Sequence, residues 1–394
     1  MKEWRKVKLG ELYEVHNGLS KGRQFFGTGF PFLTFSNVFN NWFLPNELDS
    51  LVQTTDKERD ACSIKYGDVF ITRTSETMNE LGMSSVALKD YPDATYNGFT
   101  KRLRPFTDKV LPNYIGYYLR SPKFRGKFMA FSSMTTRASL ANDNLLNMEI
   151  ELPPMDVQKK IASTLSRYDS LIDNYQKQIK LLEEAAQRLY KEWFVNLRFP
   201  GHENTKIVDG VPEGWEKKKL ISLVDVQYGY AFDGHLFNDK GEGMPILRIR
   251  NIPDGYTKDY TAEQASSDYI VHKGDIVVGM DGIFHINTWS GDDAYLVQRA
   301  CSFRPHNEKL KGFIFQAIVE PIKFFEKTLV GATVAHLGKK HIGSIELLVP
   351  SKERLFAPLQ KMYKQRMTLL SQLRLLAESR DRLLPKLLSG EIEV

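Results

Sequence analysis

An internal duplication is the feature that most constrains how this chain of 394 residues folds. Residues 29–38 (GFPFLTFSNV) match residues 243–252 (GMPILRIRNI) without a gap, and Gly, Pro, Leu and Asn recur at the same positions. Gly67-Asp68, ahead of an apolar run, recurs as Gly274-Asp275, which is typical of a turn that leads into a strand. The repeats predict two copies of one globular module.

Further matches keep the same order in both halves of the chain. They pair Trp4–Leu12 with Trp215–Leu223, Arg104-Pro105 with Arg304-Pro305, Leu140 with Leu337, and Leu152-Pro153-Pro154 with Leu348-Val349-Pro350. The spacing between matched residues shortens along the chain, so the second module has shorter loops than the first. Loops that diverge on a repeated scaffold produce this pattern.

Each module is followed by a segment whose apolar residues recur in alternating steps of four and three, the pattern of a coiled-coil helix. The predicted packing residues are Ile161, Leu165, Ile172, Ile179 and Leu182 in the first helix and Leu359, Leu369, Leu373, Leu376 and Leu383 in the second. Arg366 and Arg380 interrupt the second pattern, which is therefore expected to pack less well. Pro358 is expected in the first turn of the second helix and Pro385 near its end, since an interior proline costs about 3 kcal/mol.

These patterns predict an α+β fold with two similar mixed α/β modules, each followed by a long helix. Because a lone helix would expose its apolar stripe, we expect the two helices to form an antiparallel coiled coil with one module at each end, in a pseudo-twofold arrangement. The predicted division is residues 1–154 for the first module, 155–197 for the first helix, 198–350 for a linker and the second module, and 351–394 for the second helix and tail.

Composition narrows the class of protein without deciding it. The chain is 42% hydrophobic and 26% charged, as in globular proteins, and it lacks an apolar run of about 18 residues, so a cytoplasmic location is expected. A formal charge of +6 is compatible with DNA binding but is also common elsewhere. Cys62 and Cys301 lie in unrelated local patterns and predict neither a disulfide nor a metal site.

The segments around the ends of the two predicted helices carry a family resemblance. The matching stretches are residues 152–158 (LPPMDVQ), 188–201 (RLYKEWFVNLRFPG), 211–215 (VPEGW) and 383–392 (LLPKLLSGEI). With the repeats, they make the whole chain resemble the specificity subunit of a type I restriction-modification system, which serves host defence. The resemblance implies that each module is a target recognition domain that reads one half of a bipartite, asymmetric DNA site.

The resemblance also implies partners. In such systems the helices set the spacer length and dock two copies of an adenine methyltransferase (modification) subunit, and a motor-nuclease restriction subunit joins the assembly. No cofactor is expected in this chain, whereas S-adenosylmethionine is expected in the methyltransferase. One departure from the family pattern is that Leu348-Val349-Pro350 is followed by Ser-Lys-Glu, with no glutamine matching Gln158, so the second helix is expected to pack differently.

Polar loop residues near the repeated motifs are candidates for DNA contacts, because Arg, Lys, Asn, Gln, Ser and Thr read base edges and positive charge attracts phosphates. The candidates are Lys21, Arg23, Arg73, Thr74, Ser75, Lys101, Arg102, Thr135 and Arg137 in the first module, and Tyr228, Tyr230, Arg248, Arg250, His285, Gln298, Arg299, Thr333, His336, Lys339 and Lys340 in the second. Each alone is as readily a solvated loop side chain. Arg248 and Arg250 alternate with apolar residues and are expected on one face of a strand, while Asn37 and Asn251 are expected in turns.

The sequence lacks the catalytic motifs of a DNA-modifying enzyme. Residues 25–29 (FFGTG) resemble a nucleotide-binding pattern but do not follow an apolar strand, and the Pro-Pro pair at 153–154 lacks the Asn/Asp-Pro-Pro-aromatic form. Residues 338–340 are not a Walker loop, and the histidines show no zinc spacing. We therefore predict a non-catalytic DNA-recognition subunit. The alternatives are a protein-only adaptor and a fused restriction-methylation enzyme, and the missing motifs disfavour the latter.

Overall fold

The structure is a computed structural model that describes residues 4–75, 81–131, 138–139, 141–329 and 335–394. Its contacts divide the chain into two compact units. Unit 1 comprises Met1–Leu171 together with Leu376–Val394, and unit 2 comprises Ile172–Leu375. Each unit therefore contains one module, part of the first long helix and part of the second. The division into residues 1–154, 155–197, 198–350 and 351–394 remains a prediction.

Unit 1 is built from short strands around one antiparallel sheet. Its strands are β1 (Arg5–Lys8), β2 (Tyr13–Asn17), β3 (Phe26–Leu33), β4 (Leu51–Val52), β5 (Val69–Thr72), β6 (Thr74–Ser75), β7 (Ser84–Val86), β8 (Thr95–Tyr96), β9 (Thr100–Pro105), β10 (Ala138–Ser139) and β11 (Glu149–Leu152). Its helices are α1 (Phe35–Asn40), α2 (Asp56–Ala61), α3 (Pro112–Arg120), α4 (Pro122–Phe131), α5 (Asn142–Leu146) and the start of α6 (Met155–Tyr190). The central sheet has the order β2-β9-β5-β7, beside the sheet β4-β3-β8 and the pairs β1-β11 and β6-β10.

Unit 2 repeats this order of elements. Its strands are β12 (Ile207–Val208), β13 (Val211–Pro212), β14 (Trp215–Lys219), β15 (Val224–Tyr228), β16 (Phe237–Asn238), β17 (Met244–Leu247), β18 (Tyr260–Thr261), β19 (Ile270–Val271), β20 (Ile276–Gly279), β21 (Ile286–Thr288), β22 (Ala294–Leu296), β23 (Ala300–Pro305) and β24 (Glu346–Pro350). Its helices are α7 (Lys311–Ala317), α8 (Val319–Thr328), α9 (Lys339–Ser344) and the start of α10 (Ala357–Leu388). The central sheet β15-β23-β20-β21 and the pair β14-β24 match those of unit 1, which confirms the duplication.

The repeated Gly-x-Pro motif marks a close approach between two strands. Gly29 and Gly243 have φ values of 107° and 86°, in the left-handed region that favours glycine. A Cβ atom at Gly29 would lie 2.5 Å from the carbonyl oxygen of Val52, and one at Gly243 would lie 2.0 Å from that of Thr261. Only glycine fits at either position, which explains why this residue recurs in both modules.

The repeated Gly-Asp and Arg-Pro motifs meet in a buried ion pair. Asp68 accepts hydrogen bonds from Arg104 Nε (2.8 Å) and Nη2 (2.7 Å) and from the backbone amide of Lys65 (2.7 Å). In unit 2, Asp275 accepts from Arg304 Nε (2.8 Å) and from the amide of His272 (2.9 Å), and Arg304 Nη2 lies 2.7 Å from its carboxylate. Both motifs therefore fasten the turn before one central strand to the strand beside it.

The long helices complete the cores of both units. In unit 1 the core contains Ile161 and Leu165 of α6 and Leu384, Leu387 and Leu388 of α10. Lys160 donates to the carbonyl oxygen of Val394 (3.0 Å) and Arg380 donates to Asp169 (2.9 Å), so the two segments run antiparallel. In unit 2 the core contains Ala186 and, beyond the end of α6, Phe194, packed with Phe356 and Leu359. Every predicted packing residue is buried or half-buried. The predicted α+β class, with two similar modules that are each followed by a long helix, is confirmed. Pro358 lies in the first turn of α10 and Pro385 in its last turn.

The two arginines in the second helix pair with carboxylates of the first helix, a role that the interrupted apolar pattern did not predict. Arg366 donates to Glu183 (2.5 Å) within unit 2, and Arg380 donates to Asp169 (2.9 Å) within unit 1. Two heptads separate the arginines, and two heptads separate their acidic partners. Arg366 also donates to Asn287 (2.7 Å), so it ties α10 to the central sheet of unit 2.

A glutamine equivalent to Gln158 is present in unit 2, contrary to the sequence-based expectation. Gln158 is the fourth residue of α6, and its side-chain oxygen accepts from the amide of Leu111 (2.8 Å). Gln360 is the fourth residue of α10, and its side-chain oxygen accepts from the amide of Gly312 (2.8 Å). A 3-10 turn at Glu353–Leu355 lengthens the second connection, which is why alignment from Pro350 misses Gln360.

Candidate nucleic-acid interface

In unit 2 the candidate residues cluster at one edge of the central sheet. Strands β15 and β20 end at the edge where β23 begins, because Tyr228 pairs with Cys301 and Gly279 pairs with Ala300 in antiparallel register. The strand ends, the turns beyond them and the start of α9 carry six of the predicted residues. They are Tyr228, Tyr230, Gln298, Arg299, His336 and Lys339. We call this group the unit 2 edge cluster.

Hydrogen bonds hold the turns of the unit 2 edge cluster together. The amide of Met280 donates to the carbonyl oxygen of Arg299 (2.8 Å), and the amide of Leu337 donates to that of Met280 (2.7 Å). Asp281 lies 3.1 Å from the guanidinium of Arg299 and 2.5 Å from the imidazole of His336. The ammonium group of Lys339 lies 4.6 Å from the centre of the Tyr228 ring. Side chains from four separate segments therefore share one polar surface.

Unit 1 has the same arrangement at the matching edge. The amide of Arg73 donates to the carbonyl oxygen of Phe99 (2.9 Å). The guanidinium of Arg73 donates to the side-chain oxygen of Asn17 (3.3 Å), which ends β2. Strand β6 (Thr74–Ser75) pairs with β10 (Ala138–Ser139), as Asp281 pairs with His336 in unit 2. The sequence predicted that these loops are equivalent in the two modules, and the structure shows that within each module they lie together. Thr135, Arg137 and Thr333 lie outside the described residues, and Thr74 and Ser75 are described by their backbone alone.

Lys101 and Arg102 do not lie on the surface, which contradicts their selection as DNA contacts. They are 5% and 3% exposed on the central strand β9. Lys101 donates to Asn142, and burial, helped by the charge of Arg73, lowers the pKa of Lys101. Arg102 donates to the carbonyl oxygen of Ser63 (2.7 Å). Both side chains bridge parts of the module internally.

Arg248 and Arg250 are not on one face of a strand, because β17 ends at Leu247 and a 3-10 turn covers Ile249–Asn251. Arg248 lies 2.7 Å and Arg250 lies 2.9 Å from Asp259. Burial alone raises the pKa of Asp259, but hydrogen bonds from Arg248, Asn251 and Arg250 outweigh burial and bring that pKa below its usual value. The two arginines therefore stabilise a loop.

The two repeated asparagines cap turns, as expected. The side-chain oxygen of Asn251 accepts from the amide of Arg248 (2.9 Å). The side-chain oxygen of Asn37 accepts from the amide of Thr34 (3.0 Å), and the Thr34 hydroxyl in turn accepts from the amide of Asn37 (3.1 Å). This reciprocal capping starts α1.

The remaining candidates occupy varied positions. Lys21 pairs with Glu58 (2.8 Å), and this contact together with a hydrogen bond from the amide of Thr55 lowers the pKa of Glu58 to about 2. Arg23 is exposed in a 3-10 turn, and Lys340 is exposed on α9. His285 is half-buried in the turn between β20 and β21, where its carbonyl oxygen accepts from the amide of Gly279 (2.9 Å).

One residue at the unit 1 edge was missed by the sequence reasoning. Phe99 lies in the turn before β9 and is 64% exposed. Residues 97–100 (NGFT) occupy the same turn as residues 297–300 (VQRA), which include Arg299. Aligning these two turns would have identified Phe99. We refer to Asn17, Arg73 and Phe99, with strand β6, as the unit 1 edge cluster.

The described residues contain no group of three or more side chains suited to holding a metal ion. Among the helices in the described ranges, none combines the length and the apolar composition that crossing a membrane requires.

The model of the type I restriction modification DNA specificity domain matches residues 1–184 and 212–376 of this chain, one match in each half. The chain belongs to this family. This specificity subunit is 25% identical over 430 residues to the MjaIX specificity subunit of Methanocaldococcus jannaschii, with all of the chain and 94% of that relative covered. It is 22% identical over 470 residues to the HindI specificity subunit of Haemophilus influenzae, with both proteins covered in full.

The fold of the specificity subunit also resembles a solved structure. The crystal structure of the type I restriction-modification S subunit from M. genitalium superposes with a TM-score of 0.59, covering 98% of this chain and 96% of that one at 15% identity. At that identity the likeness concerns the fold. The family membership and the two matched domains agree with the function predicted from the sequence, a DNA specificity subunit of a type I restriction-modification system.

Proposed function

We propose that each unit of this specificity subunit reads one half of a bipartite, asymmetric DNA site through its edge cluster. The observation that carries the proposal is the recurrence of one arrangement, in which the turns at the same sheet edge bring polar side chains together in both units. The repeated backbone provides matching platforms. The side chains on these platforms differ, so the two half-sites differ as well.

The chemistry of the unit 2 edge cluster suits a DNA duplex. Arg299 and Gln298 are exposed and are side chains that read guanine and adenine edges in the major groove. Lys339 and Lys340 are exposed on the first turn of α9 and suit phosphate contacts, which position a protein on DNA without reading sequence. A base-reading pair beside a phosphate-binding pair is the combination that sequence-specific binding requires.

In this proposal the chain recognises DNA and its partners carry out the chemistry. Two adenine methyltransferase subunits, which bind S-adenosylmethionine, dock on the long helices, and a restriction subunit completes the complex. Leu181 of α6 and Leu375 of α10 are 64% and 56% exposed within unit 2 and provide apolar surface for a docked subunit. The helices then act as the spacer between the half-sites.

Co-expression with a type I methyltransferase subunit from the same host tests the proposal, with sequencing of the methylated adenines in the host DNA. We expect one bipartite motif that disappears when the chain is deleted. The charge-reversed variant Lys339→Glu/Lys340→Glu should reduce methylation strongly, because it removes two phosphate contacts. The matched control Lys217→Glu/Lys218→Glu, at two exposed positions of β14, should retain methylation. Unchanged methylation on deletion of the chain would support a protein-only adaptor instead.

A chimera tests whether the units read DNA independently. Replacing residues 4–152 with those of a relative should change one half of the motif and leave the other half and the spacer unaltered. Shortening α6 by one heptad should change the spacer length or prevent assembly. A change in both halves of the motif in the chimera would contradict independent readout.

A further inference from the structure

The turn that precedes the inner strand β9 or β23 accepts an equivalent backbone hydrogen bond in both units. In unit 1 it holds Phe99, whose carbonyl oxygen accepts from the amide of Arg73 (2.9 Å). In unit 2 it holds Arg299, whose carbonyl oxygen accepts from the amide of Met280 (2.8 Å). Phe99 and Arg299 therefore occupy one structural position and present different side chains from it.

In unit 1 this position exposes a large apolar side chain without a packing reason. Phe99 is 64% exposed. The backbone beneath it is firmly held, because the Asn97 side chain accepts from the amide of Phe99 (2.9 Å) and also donates to the carbonyl oxygen of Leu33 (3.0 Å). Folding thus fixes the Phe99 backbone and leaves its ring in solvent.

In unit 2 the same position carries backbone strain. Arg299 has a φ of 70°, in the left-handed region that favours glycine. Retaining a long side chain where glycine would relieve strain points to a requirement for that side chain, since such strain concentrates at binding and catalytic sites. Asp281 lies 3.1 Å from one guanidinium nitrogen of Arg299 and restricts its direction, while the side chain remains 66% exposed.

We propose that this turn position is the specificity-determining residue of each half-site, with Phe99 contacting the methyl group of a thymine and Arg299 donating hydrogen bonds to a guanine. This inference rests on the proposed function, because it requires each unit to read one half of a DNA site. Thymine offers an apolar methyl group in the major groove, and guanine offers two acceptors that match a guanidinium. The difference between these two side chains makes the recognised site asymmetric.

Single variants in the full methyltransferase complex test the inference, with methylation measured at sites that differ from the motif by one base. Phe99→Ala should reduce the preference for thymine at one position of the first half-site several-fold, and Phe99→Leu should retain most of it. Arg299→Gly should reduce the preference for guanine at one position of the second half-site by roughly tenfold to a hundredfold. Because glycine suits the positive φ, Arg299→Gly removes the side chain without impairing the turn.

Matched controls lie at the other end of the same two strands. Phe106, which follows β9, is 61% exposed, and His306, which follows β23, has a side chain that is 49% exposed. Phe106→Ala and His306→Ala should leave every base preference unchanged.

Two results would overturn the inference while the proposed function stands. In the first, the wild type methylates a bipartite motif, and both turn variants methylate the same motif with unaltered base preferences. The other is a uniform loss of methylation at all sites, which would make the turn residues phosphate contacts. Failure of the proposed function looks different, since the wild-type chain would then direct no bipartite motif at all.

Discussion

The buried ion pair between Asp68 and Arg104 should make a measurable contribution to the stability of the central sheet in unit 1. Asp68 is fully buried and accepts two charge-assisted hydrogen bonds from Arg104. Such bonds contribute about 1.5–3 kcal/mol each, and breaking a buried pair by removing one partner costs about 3–5 kcal/mol. Because the Arg104 side chain is 20% exposed, we take the lower end, and Asp68→Leu should destabilise unit 1 by about 3 kcal/mol.

Native-state hydrogen exchange followed by mass spectrometry measures this effect unit by unit. Since each 1.4 kcal/mol is a factor of ten, amides of β5 and β9 that exchange through opening of the sheet should exchange roughly 100-fold faster in Asp68→Leu. Amides of β20 and β23 in unit 2 should be unaffected. The double variant Asp68→Leu/Arg104→Met should recover part of the loss, because it leaves no buried charge unpaired.

The exposed residue Asp108 supplies the matched control. Asp108→Leu should leave exchange in β5 within about threefold of the wild type, as surface substitutions usually change stability by about 0.5 kcal/mol or less. If Asp68→Leu behaved like Asp108→Leu, the assignment of the repeated Gly-Asp and Arg-Pro motifs as one stabilising unit would be refuted.

Three further predictions concern single side chains. In urea unfolding, Gln158→Leu should destabilise unit 1 by about 2–3 kcal/mol, and Gln360→Leu should destabilise unit 2 by about 1–2 kcal/mol. The first effect is larger because Gln158 also donates to the carbonyl oxygens of Lys109 and Pro153 (both 2.9 Å). Asp259 has a lowered pKa in the folded chain, so the stability that it contributes is present above its unfolded pKa of about 3.9 and is lost as the pH falls. The difference in urea midpoint between wild type and Asp259→Asn should therefore shrink below about pH 4. Burial raises the pKa of the Cys301 thiol, so a maleimide at pH 8 should label it only after unit 2 unfolds.

Each of these three has its own check. Equal effects of the two glutamine substitutions would contradict the counted hydrogen bonds. A difference in midpoint for Asp259→Asn that persists unchanged to pH 3 would mean that its ion pairs contribute nothing. Labelling of Cys301 under native conditions, at the rate of a free thiol, would show that its enclosure in the core is wrong.

The duplication and the helices could be predicted because local rules specify them. Gly29 and Gly243 are required by close strand contacts, and Ile161 and Leu359 belong to apolar series with the helical period. Both features are therefore visible in the sequence. Gln360 escaped because a 3-10 turn inserted after Pro350 shifted the numbering between two equivalent residues. The role of Arg366 escaped because its partners Glu183 and Asn287 are distant in sequence.

The edge clusters were predicted only in part. The sequence correctly predicted that the loops of the two modules correspond. They meet at one edge of the sheet because antiparallel neighbours end where the strand between them begins. Charge was a poor guide to exposure, since Lys101 and Arg102 are buried with partners supplied from elsewhere in the module. Phe99 was overlooked because an aromatic residue next to a strand is normally part of the core. Its exposure is a property of the folded turn, which the sequence does not show.

The way α10 contributes to unit 1 has a consequence during translation. Leu384, Leu387 and Leu388 fill the same core as Val7 and Ile161, but the ribosome makes them only after all of residues 172–375. Unit 1 must therefore wait, with part of its core uncovered, until the rest of the chain has emerged. Unit 2 is one continuous segment and has no such delay, so we expect it to mature first although it is synthesised second.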